Sequence, residues 1–124
     1  MQREEILPLS IIVHIDRFSL SKDLQLEALQ EFKDLCLSSG TEVMAEVSGK
    51  IDRPSPNFFI KQGKLEEIKE LVRFHKAHLV IFNNDLTPSQ ERNLEKFLGT
   101  RVLDRTSLIL DIFATRASSH IGKL

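Results

Sequence analysis

The segment His78–Asp104, "HLVIFNNDLTPSQERNLEKFLGTRVLD", decides the fold. His78–Phe82 is a short apolar, β-branched run with the composition of a buried strand. Thr87 then stands as an N-cap, Pro88 takes the first helical position, and Gln90 completes a Thr-x-x-Gln capping box. Leu94, Phe97 and Leu98 recur at helical spacing, and Gly99 stops the helix. Arg101–Asp104 reads as a second short strand. Strand, capped helix and strand within so few residues make a βαβ unit, which implies parallel strands and a crossover helix.

The same alternation extends in both directions. Ser10–Ile15, "SIIVHI", reads as a buried strand. A helix follows it, with Leu24, Ala28, Leu29, Phe32, Leu35 and Cys36 inward and Gly40 as its stop. Thr41–Val47 alternates as a strand, with Val43, Ala45 and Val47 expected on one side. Ser48–Lys64 carries two prolines and two glycines and is expected to be a long ordered loop with a brief extended piece at Phe58–Ile60. Leu65–Ala77 reads as a helix with Leu65, Ile68, Leu71 and Val72 inward. After Asp104, which caps it, comes a strongly apolar final helix. Leu108, Ile109, Ile112 and Phe113 form its stripe, and Leu110 is apolar too. So wide an apolar surface implies burial on more than one side. The expectation is one α/β domain over residues 1–124. It has a four-stranded, mostly parallel sheet, helices on both faces, and a flavodoxin-like or Rossmann-like strand order.

Composition bounds the function. Seventeen basic residues oppose eighteen acidic ones, for a net charge of -1. That is no footprint for free-standing nucleic-acid binding. Arg92, Lys96, Arg101, Arg105, Arg116 and Lys123 do cluster in the last third, where an anionic contact is the minority reading beside a solvated surface. Cys36 is the only cysteine, so neither an internal disulfide nor a cysteine-based zinc site can form. No apolar run reaches the ~20 residues of a membrane span, and "MQREEILPLS" has no signal-peptide core.

Catalytic chemistry is not visible. The turn after the first strand, "DRFSLSKD", has no glycine, so the dinucleotide fingerprint fails. Gly63-Lys64 suggests a P-loop, but Phe58 stands where that motif needs glycine and Leu65 where it needs Ser or Thr. His75 and His78 are too few for a metal cluster, and His14 reads as a hydrogen-bonded strand residue. Cys36 reads as a packed thiol. Asp85 reads as a turn residue, and Asp52 and Asp111 as solvated or paired charges. Two non-catalytic alternatives remain. One is a small-ligand or nucleotide-binding module at the strand carboxyl ends, lined by Asn83, Asn84 and Asp104. The other is an interaction domain that associates through the final helix.

Three blocks in order, "DRPSPNFFIKQGKLEEI", "LVIFNNDLTPSQERNLEK" and "RVLDRTSLILDIFATRASSHIGKL", resemble the amino-terminal domain of the HflX family of ribosome-associated GTPases. The likeness is clear over Thr41–Leu124 and general before it. It implies a helical hairpin beginning around the final Gly-Lys-Leu, and then a GTP-binding domain holding GTP and Mg2+. No GTP, metal or catalytic residue is implied within this segment. It implies the large ribosomal subunit and the protein's own GTPase domain as partners, splitting or rescue of stalled ribosomes, and a cytoplasmic location with no membrane partner. Arg53, Pro54, Pro56, Gly63 and Lys64 match the family's Pro-rich loop. Asp104, Arg105 and Thr106 match its Asp-Arg-Thr turn, and Asp111, Phe113 and Arg116 the helix after it. The expected interdomain or ribosome contacts are therefore Arg53, Lys64, Asp104, Arg105, Thr106 and Arg116. Lys61 and Ser107 replace usual glycines, Thr115 a usual glutamine and Ser118 a usual arginine. The last change weakens an anionic contact at that helix end.

Overall fold

The computed structural model describes residues 7–122, with side-chain surroundings through Thr115. Its elements run β1 (Leu9–Asp16), α1 (Lys22–Ser38), β2 (Glu42–Lys50), α2 (Gln62–His75), β3 (Leu79–Phe82), α3 (Pro88–Leu98), β4 (Arg101–Leu103) and α4 (Arg105–Gly122). The four strands form one parallel sheet in the order β2-β1-β3-β4. This is the flavodoxin-like beginning, with the chain reversing its direction of travel across the sheet between β1 and β3.

β1 is central and buried on both faces, which is why it reads as an unbroken apolar run. Ile11, Val13 and Ile15 face α2 and α3 with Phe59, Leu65, Ile68, Phe82, Leu94 and Leu98. Ile12 faces α1 and α4 with Phe32, Cys36, Ile81, Leu108 and Ile112. Both layers are apolar and buried, so each fully buried Ile, Leu or Phe contributes about 1.5–3 kcal/mol. The α3 punctuation forms as read. Thr87 accepts from the Gln90 amide, the Gln90 side chain accepts from the Thr87 amide, and Gly99 adopts the left-handed C-cap at φ 71°.

The structure corrects four expectations. Val43 does not share a side with Ala45 and Val47. A bulge lets Ser10 pair with Val43 but Ile11 with Ala45, so Met44 is extra. Val43 then packs toward α1 and α4, while Ala45 and Val47 pack toward α2 and α3. Second, β2 continues through Lys50 and α2 begins at Gln62, so Gly63 and Lys64 lie in a first helical turn and not in a loop. Third, the extended piece at Phe58–Ile60 is replaced by a tight Ser55–Phe59 bridge. Phe59 holds φ 67° there to bury its ring against Phe82. Fourth, Leu24 and Phe113 are exposed, 51% and 65%, so the inward stripes of α1 and α4 are narrower than their apolar content.

The last strand is finished by a side chain. The Val102 amide points away from β3 and donates to Glu95 Oε2 at 3.0 Å. That carboxylate blunts the β4 edge against further strand addition.

Candidate functional site: the carboxyl edge of the sheet

In a parallel sheet with crossover helices, ligands sit outside the carboxyl ends of the strands at the topological switch. Here that edge gathers the ends of β1 and β3 and the first turns of α1, α3 and α4. β3 stops at Phe82, while β1 runs on to Asp16 alongside β2. The strands therefore part, and the crevice between them is where a ligand would enter.

Side chains of the chain itself fill that crevice. Asn84 Oδ1 accepts from the Ile15 amide at 3.2 Å, and Asn84 Nδ2 donates to the Ile15 carbonyl at 2.9 Å. One side-chain amide thus continues the β1–β3 ladder where the backbone has left it. Asp16 accepts from the amides of Phe18 and Leu20 and from Gln25 Nε2, which closes the loop into α1. Asn83 Nδ2 donates to His14 Nδ1 at 3.0 Å, and Asn83 Oδ1 accepts from Arg105 at 2.7 Å. Arg105 also reaches Glu31 on α1 at 3.3 Å. Asp104 Oδ1 caps α4 through the Ser107 amide, and Asp104 Oδ2 accepts from the Leu86 amide. Thr106 donates to Asp85 at 2.9 Å.

Asp104, Arg105 and Thr106 are therefore brought together with the loop after β3, and all three tie α4 to it. Lys64 lies apart on α2, paired with Glu67 at 3.0 Å. Its alkyl stem passes over Gly49 on β2, where a Cβ would meet Lys64 Cε at 2.8 Å. Arg53 is exposed in the turn after β2. The side chain of Arg116 lies outside the described residues. Asn83, Asn84 and Asp104, the proposed pocket lining, are spent on internal bonds. A groove of about 510 Å3 lies elsewhere, along α3 at Asn57, Ser89, Arg92, Asn93 and Lys96. Another of about 230 Å3 lies near the amino ends of β3 and β4, beside Leu108 and Ala114.

The remaining candidates each have a place in the packing. Among the described residues no cluster of His, Cys, Asp and Glu could hold a metal. His78 Nδ1 accepts from the Leu9 amide, His75 packs edge-on to Phe74, and Asp111 pairs with Arg101 at 3.6 Å. Burial pushes the Cys36 thiol up to about 12, so it is inert. Burial also holds His14 below its ordinary value, against the opposing pull of Asp16. His120 lies outside the described side chains. Sequence reading missed His14, Asn83, Arg105 and Glu31 as one network, and the Asn84 bonds to Ile15 beside it. The only available signal was the polar Asn-Asn pair directly after an apolar strand.

Fold and edge together define a doubly wound α/β domain whose switch point is sealed by its own side chains. The profile of the GTP-binding GTPase N-terminal family matches residues 26–114, and the chain belongs to that family. The GTPase HflX of Escherichia coli (strain K12) is 47% identical over 115 residues, 93% of this chain and 26% of that protein. The GTPase HflX of Thermococcus kodakarensis is 48% identical over 94 residues, 76% of this chain and 21% of that protein. The resemblance to the amino-terminal domain of HflX therefore holds. The chain spans about a quarter of the length of these relatives. A GTP-binding protein from Sulfolobus solfataricus, solved in complex with GDP, superposes with a TM-score of 0.60 at 24% identity. The match covers 85% of this chain and 30% of that one, and it bears on the fold alone. Among the described residues no helix is long and apolar enough to cross a membrane.

Proposed function

We propose that this domain is the positioning platform of an HflX-type GTPase acting on the large ribosomal subunit in the cytoplasm. It binds no nucleotide itself. It holds the helical arm that follows α4 and couples it to a downstream domain that takes GTP and Mg2+. The whole protein would split or rescue stalled ribosomes. The observation that carries this reading is the sealed switch point: the one edge where such a sheet takes a ligand is closed by Asn84, Asn83 and Asp104. The Asn83–Arg105 bond and the two Asp104 bonds also fix the base of α4, the element from which an arm would be directed. Arg105 and Thr106 serve as the anchors, and Arg53, Lys64 and Arg116 as outer contacts with the GTPase domain or the ribosome.

Calorimetry of this chain with GTP and ATP, each with Mg2+, is expected to show no binding. Heats fitting a micromolar site would refute the platform. In the longer protein, co-sedimentation with large subunits under a non-hydrolysable GTP analogue is expected to fall in Arg105→Ala. Unchanged co-sedimentation would remove α4 from the coupling. The exposed Leu110 and Phe113, at 61% and 65%, favour one further reading, a protein contact on the outer face of α4. Self-association through that face would appear in sedimentation as a concentration dependence lost in Phe113→Ser.

A further inference from the structure

His14 is 8% exposed, and its Nε2 is buried without a hydrogen-bond partner. Its Nδ1 faces Asn83 Nδ2 at 3.0 Å. The amide nitrogen can only donate, so Nδ1 must accept. The orientation of that amide is set from its other end. Arg105 has only donors, and its Nη1 lies 2.7 Å from Asn83 Oδ1. Arg105 thus fixes Asn83, and Asn83 fixes His14 as the neutral tautomer carrying its proton on Nε2.

A second proton on His14 would go to Nδ1. Two N–H groups would then oppose each other across the 3.0 Å contact. Turning the Asn83 amide over would relieve His14, but it would set Nδ2 against the Arg105 guanidinium. Protonated His14 and the Arg105–Asn83 bond therefore exclude one another in this geometry. We infer that His14, Asn83 and Arg105 form a proton-sensitive latch. When His14 is neutral the base of α4 is locked to the end of β3, and when His14 is protonated Arg105 is released.

Burial sets the direction, disfavouring the protonated form, and the charged groups on the surrounding elements act on top of it. Asp16 on β1 favours the protonated form and opposes the latch. Arg105 on α4 reaches His14 only through Asn83, whose oxygen it holds. Glu31 on α1 is held by Arg105 at 3.3 Å, Asp85 in the loop after β3 by Thr106, and Asp104 by the amides of Leu86 and Ser107. At the strand end beside β1, Lys50 of β2 is exposed. Release of Arg105 leaves Glu31 as its remaining side-chain partner. That pair is partly solvated and holds α4 weakly. The first-turn amides at risk are Arg105, bonded to Asn84 O, and Ser107 and Leu108, bonded to Asp104. The latch is independent of the ribosomal role, and its test does not involve ribosomes.

The experiment is amide hydrogen exchange, corrected for intrinsic pH dependence, together with NMR titration of the His14 ring, from about pH 7.5 down to about pH 4.5, because burial holds His14 below the ordinary histidine value. In the wild type, exchange at Arg105, Ser107 and Leu108 is expected to quicken several-fold as His14 titrates, while the capped first turn of α3 stays unchanged. Asn83→Asp offers oxygens to both neighbours. It should raise the His14 midpoint yet keep the α4 turn closed in acid. Arg105→Ala frees Asn83 to turn, so the His14 midpoint should move up toward the ordinary histidine value. The latch is overturned if His14 titrates with no change in the α4 turn, if Asn83→Asp opens like the wild type, or if Arg105→Ala leaves the midpoint in place.

Discussion

Asn84→Ala tests the seal at the switch point most directly. β1 and β3 pair as far as Val13 and Phe82, and the Asn83 amide reaches the Val13 carbonyl at 2.8 Å. Beyond it the Ile15 amide and carbonyl still face the space that β3 has left. The Asn84 side chain fills both valences, at 3.2 and 2.9 Å. Truncation removes two bonds worth about 1 kcal/mol each and leaves a donor and an acceptor on a 3%-exposed residue, whose desolvation raises the loss. Asn84 itself is half-buried, so water can recover part of it. The expected loss is therefore about 2–3 kcal/mol. Urea unfolding, with a slope of roughly 1–3 kcal/mol/M for a domain of this size, should show the midpoint falling by about 0.7–3 M. Hydrogen exchange at Ile15 should quicken by a similar free energy. Asn84→Asp keeps an acceptor for the Ile15 amide but sets a carboxylate oxygen against the Ile15 carbonyl. It should lose about as much near neutrality and recover in acid, where the protonated carboxyl can donate. A midpoint shift below about 0.3 M for Asn84→Ala would mean that water completes the ladder equally well, and the seal would not be structural.

Gly49→Ala should be nearly neutral, because the clash is with the flexible stem of Lys64 and alanine is favoured over glycine in a strand by about 0.5–1 kcal/mol. In a Lys64→Ala background the same change should become stabilising, and a double-mutant cycle by urea unfolding reads the difference. Glu95→Ala uncovers the Val102 amide. It should cost about 1 kcal/mol and promote association through β4, seen as light scattering that rises with concentration. Cys36, fully buried with its thiol pushed up to about 12, should resist a disulfide reagent at neutral pH until the protein is unfolded. His14 titrates lower when folded than when unfolded, so the unfolded chain binds more protons in that range and stability falls as pH drops below 6.5. Thermal unfolding of His14→Gln should lose that part of the acid sensitivity.

Local patterns announced themselves in the sequence wherever one residue type can serve one conformation. Thr87, Pro88, Gln90 and Gly99 delimit α3 because capping box, first-turn proline and left-handed glycine are each local geometry. The apolar runs of β1 and β3 are parallel strands buried on both faces, and the burial alone shapes their composition. The order of elements implied the doubly wound sheet, and three ordered blocks pointed to the family. Tertiary structure alone decided the rest. Val43 changed faces because a bulge answers to the register with β1, and a period-two pattern within β2 carries no trace of it. Lys64 became helical because the Ser55–Phe59 bridge turns the chain early enough for α2 to start at Gln62. Phe113 matched the apolar stripe of α4 yet stays exposed, because α1 and the sheet cover only the narrower face holding Leu108 and Ile112. The candidate site was least legible of all. His14, Asn83, Glu31 and Arg105 stand far apart in the chain, and each is unremarkable alone. They meet because β1 and β3 are neighbours that end at different heights. The polar groups exposed by that mismatch must be satisfied by whichever side chains the fold delivers there.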